Sequence, residues 1–517
     1  MSVTGAGLVK PGTVAWFARH ELCLAWRDWI WLLSGGHRRR GVAVTLGLVG
    51  FVLLMHGVAA MMLPHSPDLA GVPPKRILVV IGGTLLLYGS LMLSQAMEAV
   101  TRAFYARGDL DLVLSSPASA SRLFAVRIVA MAASIAAMSL LLAAPVIDVL
   151  VLRSGAHWLA AYGVIIAMAM VAVAASTITT ILLFAAIGPR RTRLVAQIIA
   201  AIVGASFVIG VQLLAILSIG TVSRIEFLES EAVVSHTPAS DSIAWLPAYA
   251  VAGNGLDLVI VIAVAAIMLG GAIRFCAPLF GTLALATAAI SEAPSRASGR
   301  WRSRFRVMSP GQALRRKEWA LLRRDPWLIS QSLMQLLYLL PPFFMLWRSF
   351  YGDSHLATLL VPVLIMAAGQ LAGGLAWLAV SGEDAPDLIG SAPITTAHIW
   401  WAKAQAVAGV IGIVFAPAVV ILAIVQPILA LVTALGVAIA AASASLIQFW
   451  FRAQVKRSLF RRRHVSSRIA TFAEAFSSIT WSGAGAVMLV DPWLAIIPGG
   501  FALAVLAGAW SVSPQRG

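Results

Sequence analysis

The sequence predicts an all-α polytopic membrane protein with about twelve transmembrane helices in two six-helix repeats. Composition supports the first part: 60% of the 517 residues are hydrophobic, 11% are charged, and mean hydropathy is +0.90. Soluble proteins carry about 25% charged residues, so a bilayer must solvate most of this apolar surface. Two short sequence landmarks that recur in the same order support the second part.

The first landmark reads E-x5-R-D and occurs at 21–28 and 318–325. The second reads D-L-x-x-S-x-P and occurs at 111–117 and 387–393. The copies are 297 residues apart for the first landmark (21 to 318) and 276 for the second (111 to 387). The shared order predicts an internal duplication, with about 21 extra residues in the first copy. Those residues are placed in Ser34–Arg40 and in the loop Pro64–Arg76.

Each second landmark leads into a long apolar segment. That segment is entered through Leu123 and Arg127 in the first copy and through Ile399 and Lys403 in the second. Residues 12–33, near the first landmark, are rich in Trp and interrupted by five charged or histidine side chains on one half of a helical wheel. This pattern favours a helix lying in the membrane interface, with a soluble tail as the alternative.

Apolar runs long enough to cross a bilayer follow in both halves. They lie near 43–63, 77–99, 123–152, 157–187, 194–220, 257–275, 328–348, 356–380, 398–425, 428–451, 467–489 and 493–512. Proline does not continue a preceding helix comfortably, so Pro427 is expected to divide two of them. The third and fourth runs exceed one bilayer thickness and are expected to tilt or protrude.

Charge predicts the orientation. Basic clusters follow spans four, six and ten, whereas the loop 221–256 is acidic, so the positive-inside rule places both termini in the cytoplasm of a bacterial inner membrane. Lys75 and Arg76 fit this less well, because they come out external. The predicted organisation is a first six-span half at 1–290, a basic cytoplasmic linker at 291–309 and a second half at 310–517.

The chemistry expected from the sequence is not that of an enzyme. The chain has no G-x-x-x-x-G-K-[ST], no H-E-x-x-H and no G-x-S-x-G, and its two cysteines, Cys23 and Cys276, form no metal-binding pattern. The basic tracts are expected to meet anionic lipid headgroups and no nucleic acid. Glu98, Asp148 and Glu474 are candidate functional residues, since ionisable side chains inside spans are costly.

These features together resemble the permease of an ABC-2 type exporter. The match consists of an amphipathic helix before span one, a polar segment ending in S-x-P between spans two and three, and an acidic insertion with Trp245-Leu246-Pro247 before span six. The resemblance implies elbow helices on the cytoplasmic face, coupling helices that dock on an ATPase, and short re-entrant helices in the insertion. It covers most of both halves, although the second half has no comparable insertion between spans eleven and twelve.

The resemblance also assigns roles to residues at the two landmarks. The first and second elbow segments are 14–30 and 311–326, and the first and second coupling segments are 108–117 and 383–393. The elbow residues are Glu21, Arg27, Asp28, Glu318, Arg324 and Asp325. The coupling residues are Asp109, Asp111, Leu112, Leu114, Pro117, Asp384, Asp387, Leu388, Ile389 and Pro393.

The function expected from this resemblance is transport powered by separate P-loop ATPase subunits. The chain itself would bind no cofactor, and ATP and Mg would be held by the partner. The alternative is an ion- or proton-coupled secondary transporter, because twelve spans in two halves also fit that class.

Overall fold

The computed structural model describes most of the membrane-spanning part of the chain. The described residues are 13, 15–21, 23, 41–63, 73–105, 119–218, 224–283, 308–324, 337, 340, 341, 344, 354–381, 391–451 and 468–513. They group into two compact units, which we describe separately. The first contains the described residues up to Val208 and those of 224–283, and the second contains Ile209–Ser218 and the described residues from 308 onward.

The first unit contains long apolar helices and, in the insertion, short helices of six residues each. In chain order the helices are α1 (Gly41–Met62), α2 (Lys75–Tyr105), α3 (Ala120–Ser154), α4 (Ala160–Ser218, which belongs to this unit as far as Val208), the short α5 (Arg224–Glu229), α6 (Glu231–His236) and α7 (Leu246–Val251), and α8 (Gly255–Cys276). With a rise of 1.5 Å per residue, the 35 residues of α3 extend about 52 Å, which is more than the apolar thickness of a bilayer.

A break at Gly188 divides α4 into two spans. Gly188 has φ +71° and ψ 165°, a conformation that side chains with a Cβ disfavour, and Pro189 follows it. The hydroxyl of Tyr105, the last residue of α2, donates a hydrogen bond to the Pro189 carbonyl at 2.6 Å. The break therefore separates predicted spans four and five at a point tied to the end of α2.

Four phenylalanines fill the core of the first unit at the end of the helices next to the first coupling segment. The Phe104 ring lies 5.3 Å from Phe124, 5.1 Å from Phe184 and 5.2 Å from Phe280, measured between centroids. Phe124 and Phe280 stack at 4.2 Å. Tilted and offset rings at such separations contribute beyond the area they bury, so we call these four residues the phenylalanine cluster and regard it as a rigid block.

The insertion after α4 forms short helices, as the sequence predicted, and these pack on the start of α2. A Cβ on Gly82 would lie 2.9 Å from the ring of Trp245, and one on Gly83 would lie 2.8 Å from Leu228. Glycine is therefore required at both positions for the insertion to approach the helix. The Arg76 guanidinium pairs with the Glu231 carboxylate, so the basic start of α2 and the acidic insertion lie on the same side.

The second unit is a helical bundle organised around α10. Its helices are α9 (Pro310–Arg324), α10 (Ser354–Ser381), α11 (Thr396–Val425), α12 (Pro427–Phe451), α13 (Arg468–Met488) and α14 (Ile496–Val512). The helix α10 packs against α11, α12 and α13. As predicted, Pro427 begins a new helix, because Gln426 adopts an extended conformation with φ −150° and ψ 103°.

Eight helices of the described ranges are long and apolar enough to cross a membrane, which confirms an all-α membrane protein. They match the predicted spans two to six and eight to ten. Predicted spans one, eleven and twelve coincide with α1, α13 and the shorter α14. Predicted span seven, 328–348, and the linker 291–309 lie almost wholly outside the described residues, so twelve spans and a duplication stay predictions.

Candidate functional site

The second elbow segment forms the amphipathic helix α9, which lies against α11 and the end of α10. The Lys403 ammonium, on the first turns of α11, donates to the Glu318 carboxylate of α9 at 3.0 Å. It also donates to the backbone carbonyl of Ala379 near the end of α10. One buried cation thus joins three helices.

Both charged side chains of this contact are buried, so each depends on the other for compensation of its charge. Glu318 is 1% exposed and Lys403 is 4% exposed. Removing one partner of a buried ion pair leaves an uncompensated charge, which typically costs ~3–5 kcal/mol. Lys317 also donates to Glu318, at 3.1 Å, so the carboxylate has two cationic partners.

Two further contacts fix the position of α9 on α11. A Cβ on Gly409 would lie 2.9 Å from the indole ring of Trp319, so the ring lies directly over this glycine. The Arg315 guanidinium donates to the side-chain carbonyl of Gln405 at 3.3 Å. The helix is therefore fixed along its length and not at a single point.

The first elbow segment makes the corresponding contact in the first unit. Residues 15–21 and 23 are helical, and Phe17 is buried against Leu123 and Val126 at the start of α3. The Arg127 Nε donates to the Glu21 carboxylate at 3.4 Å, with both side chains mostly buried. An acid on the elbow thus meets a base about two turns into α3, the long helix that follows the first coupling segment.

The two contacts use positions that correspond under the predicted duplication. Glu21 and Glu318 are separated by 297 residues, and Arg127 and Lys403 by 276, which are the offsets of the two landmarks. The offset of 297 also relates Phe17 to Leu314, and both side chains are buried. We call the contacts Glu21–Arg127 and Glu318–Lys403 the elbow clamps and take them as the candidate functional site.

Most of the predicted coupling residues lie outside the described residues. These are Asp109, Asp111, Leu112, Leu114, Pro117, Asp384, Asp387, Leu388 and Ile389, together with the elbow residues Arg27, Asp28 and Asp325. Pro393 lies in a tight turn, in which the Ile394 amide donates to the Ala392 carbonyl at 2.7 Å, and Arg324 ends α9. Phe104, which precedes the first coupling segment, and Phe124, which follows it, contact each other in the phenylalanine cluster.

The three predicted intramembrane acids lie in different surroundings. Glu98 pairs with Arg102 one helical turn away and is 41% exposed, the arrangement of a solvated acid at a helix end. Asp148 accepts hydrogen bonds from Tyr162 at 2.5 Å and lies 3.2 Å from the His56 ring nitrogen, so it joins α1, α3 and α4. Sequence reasoning did not foresee His56 or Tyr162 as its partners.

Glu474 lies directly over a glycine. The side-chain amide of Gln448 donates to its carboxyl oxygen at 2.5 Å. A Cβ on Gly373 would lie 2.0 Å from the Glu474 carboxyl carbon, and one on Gly369 would lie 2.4 Å from the Ser478 hydroxyl. The G-x-x-x-G pair on α10 therefore admits two polar side chains of α13 at close range.

No group of three or more His, Cys, Asp and Glu side chains among the described residues is placed to hold a metal ion. No family model, characterised protein or solved structure matches the chain significantly.

Proposed function

We propose that the chain is the membrane permease subunit of an ABC-2 type exporter in a bacterial inner membrane. The observation that supports this most is the elbow clamp, which recurs in both units at corresponding positions. An amphipathic helix held by an ion pair to the long helix that follows a coupling segment can brace that helix against a push from one side of the membrane. An energy-transducing transporter needs such a brace.

The proposed mechanism places the moving parts next to the clamps. Each coupling segment would dock in a cleft of a P-loop ATPase subunit, which binds ATP and Mg and supplies the free energy. Closure of the ATPase pair pushes the segments, and α3 and α11 tilt because they begin directly after them. Glu21 and Glu318 then act as the fixed points about which these helices turn.

The phenylalanine cluster suits this mechanism in the first unit. Phe104 precedes the first coupling segment and Phe124 follows it, and both pack on Phe184 and Phe280 or on each other. A displacement of the segment would pass to α4 and the residues after α8 as a rigid shift, since packed aromatic cores resist compression. In the second unit Trp400, which is 276 residues beyond Phe124, contacts Phe449 at 5.4 Å.

A pull-down from the native host tests the proposal. The tagged full chain is purified from membranes, and co-eluting P-loop ATPase is identified by mass spectrometry and measured by ATP hydrolysis. The double variant L112D/L114D is expected to lose most of the ATPase, because an apolar interface anchor contributes ~2 kcal/mol or more. The matching variant L388D/I389D tests the second coupling segment.

The control is I225D/I243D in the insertion, where both side chains are exposed at 60% and 87%. It carries the same charge change and is expected to leave the ATPase bound. Absence of any P-loop ATPase from the wild-type preparation, or unchanged binding in both coupling variants, would refute the proposal.

One observation favours a second candidate, the proton- or ion-coupled transporter. Glu474 is an intramembrane carboxyl without a basic partner among the described residues, a feature typical of proton relays. Transport that continues in vesicles lacking the ATPase but carrying a proton gradient would favour this candidate.

A further inference from the structure

Glu474 occupies an environment that disfavours a charged carboxylate. Glu474 is half-buried, its carboxyl lies against Gly373, which has no side chain, and the side-chain amide of Gln448 donates one hydrogen bond to it. No ion pair to Glu474 is found among the described residues. An ionised carboxylate in an apolar interior loses far more solvation than one neutral hydrogen bond returns.

The helices around Glu474 contain almost no ionisable residues. Helix α13 packs on α10, α12 and α14, and neither α12 nor α14 has any ionisable residue. In α10 the single one is His355, which precedes Gly373 by 18 positions and so lies about 27 Å along the helix. On α13 itself the other charge is Arg468, six positions earlier at the helix start.

Two buried hydroxyls lie on the same stretch of α13. Ser477 and Ser478 are each 1% exposed, and neither hydroxyl has a hydrogen-bond partner among the described residues. Residues three and four apart share a helix face, so both are neighbours of Glu474. A neutral carboxyl donates a hydrogen bond, and these oxygens can accept one.

The route to Glu474 is short from one end of the bundle. It lies six residues into α13, or about 9 Å along the axis, and Gln448 lies three residues before the end of α12. Both positions are near the basic tract that joins α12 to α13 in the sequence. The opposite end of α13 is more than 20 Å away.

We propose that Glu474 is a proton-binding site, which takes up and releases one proton from the end of the bundle nearest the basic tract. In the bound state the carboxyl is neutral and fits against Gly373. Release leaves a negative charge at the contact between α10 and α13, so proton occupancy is linked to the packing of these helices. Helix α10 also supplies the Ala379 carbonyl that Lys403 contacts, so the site and the second elbow clamp share one helix.

Labelling with dicyclohexylcarbodiimide tests this on the full-length wild-type protein in lipid nanodiscs. The carboxyl proton passes to a carbodiimide nitrogen, the carboxylate oxygen bonds to the central carbon, and acyl migration to nitrogen leaves a stable acylurea. Mass spectrometry then quantifies the modified peptide. Labelling of Glu474 is expected to fall at least about tenfold between about pH 6 and about pH 9, because the neutral carboxyl is the reactive form.

Glu98, which pairs with Arg102, serves as the carboxylate control and is expected to stay unlabelled. The isosteric variant E474Q is expected to lose the label at this peptide and keep the elution profile of the wild type. Absent labelling of Glu474 at every pH, equal labelling of Glu98, or labelling that does not change with pH would overturn the proposal. Protection by sodium at constant pH would also overturn it, by identifying a metal-cation site. None of these outcomes depends on whether an ATPase binds.

Discussion

The Glu318 carboxylate lies 3.0 Å from the Lys403 ammonium, although the two residues are 85 positions apart and both are almost fully buried. The attraction between the two charges offsets the free-energy cost of removing each of them from water. The pair also fixes α9 to α11 in one register, because a shift of one residue would leave each charge buried without its partner.

The first prediction concerns this pair. K403M and E318Q are each expected to destabilise the second unit by ~3–5 kcal/mol, because each leaves one buried polar partner unmatched. The double variant E318Q/K403M is expected to be less destabilised than the sum of the two. Denaturant unfolding in detergent, followed by tryptophan fluorescence, measures the coupling in a double-mutant cycle. Additive effects would show that the pair is not coupled.

The corresponding pair in the first unit should respond more weakly. Glu21 and Arg127 are 3.4 Å apart and about 15% exposed (16% and 14%), so water screens them more than it screens Glu318 and Lys403. We expect E21Q and R127M to cost ~1–3 kcal/mol in the same assay. An effect larger than that of the second pair would contradict this ranking.

The contact between α10 and α13 should not tolerate a methyl group. G373A would place a Cβ 2.0 Å from the Glu474 carboxyl carbon, so either the Glu474 side chain leaves its hydrogen bond to Gln448 or the helices separate, at a cost of ~1–3 kcal/mol. G500A in α14 is the control, because a Cβ there meets nothing within 4 Å. Thermal unfolding of the two variants side by side checks the difference. Equal stability of G373A and G500A would show that the Glu474 side chain can move away from position 373 with no loss of stability.

The break in α4 allows a test of backbone strain alone. G188A adds a Cβ into open space but forces alanine into φ +71° and ψ 165°, which costs ~1–3 kcal/mol. G210A also adds a Cβ into open space, within regular helix, and is expected to be neutral or stabilising by ~1 kcal/mol. Opposite shifts in midpoint are expected, and a stabilising G188A would show that the break is not required.

The Asp148 contacts should matter for the first unit more than for the second. D148A leaves the Tyr162 hydroxyl and the His56 ring without their shared acceptor, at a cost of ~1–3 kcal/mol. Y162F removes one hydrogen bond and is expected to cost ~1 kcal/mol. Proteolysis after partial unfolding, read separately on peptides of each unit, locates the loss. Equal loss in both units would contradict the assignment.

The helices could be predicted because bilayer burial leaves a strong and local signal. Runs of about twenty apolar residues predicted the eight long helices, with the largest error at the end of span six (275 against Leu283), and Pro427 gave a correct division. The break at Gly188 lies one residue beyond the predicted end of span four at 187, although this glycine was not itself predicted as the break point. Its following proline was the available signal.

The sequence indicated the residues of the elbow clamps but not their pairing. Glu21 and Glu318 lie in the first landmark and Arg127 and Lys403 follow the second, yet pairing them required knowing that each elbow lies against the long helix after the coupling segment. Opposite charges at equal repeat offsets were the signal. The contact of Glu474 with Gly373 could not be found this way, because helix-to-helix register in a bundle depends on packing between residues far apart in sequence.

The pairing of Arg76 with Glu231 has a consequence for how the protein is made. The two residues are 155 positions apart, so the start of α2 leaves the ribosome long before its acidic partner exists. The contact between the start of α2 and the insertion can therefore form only after α4 has been synthesised, and it joins two parts of the chain that are made at different times.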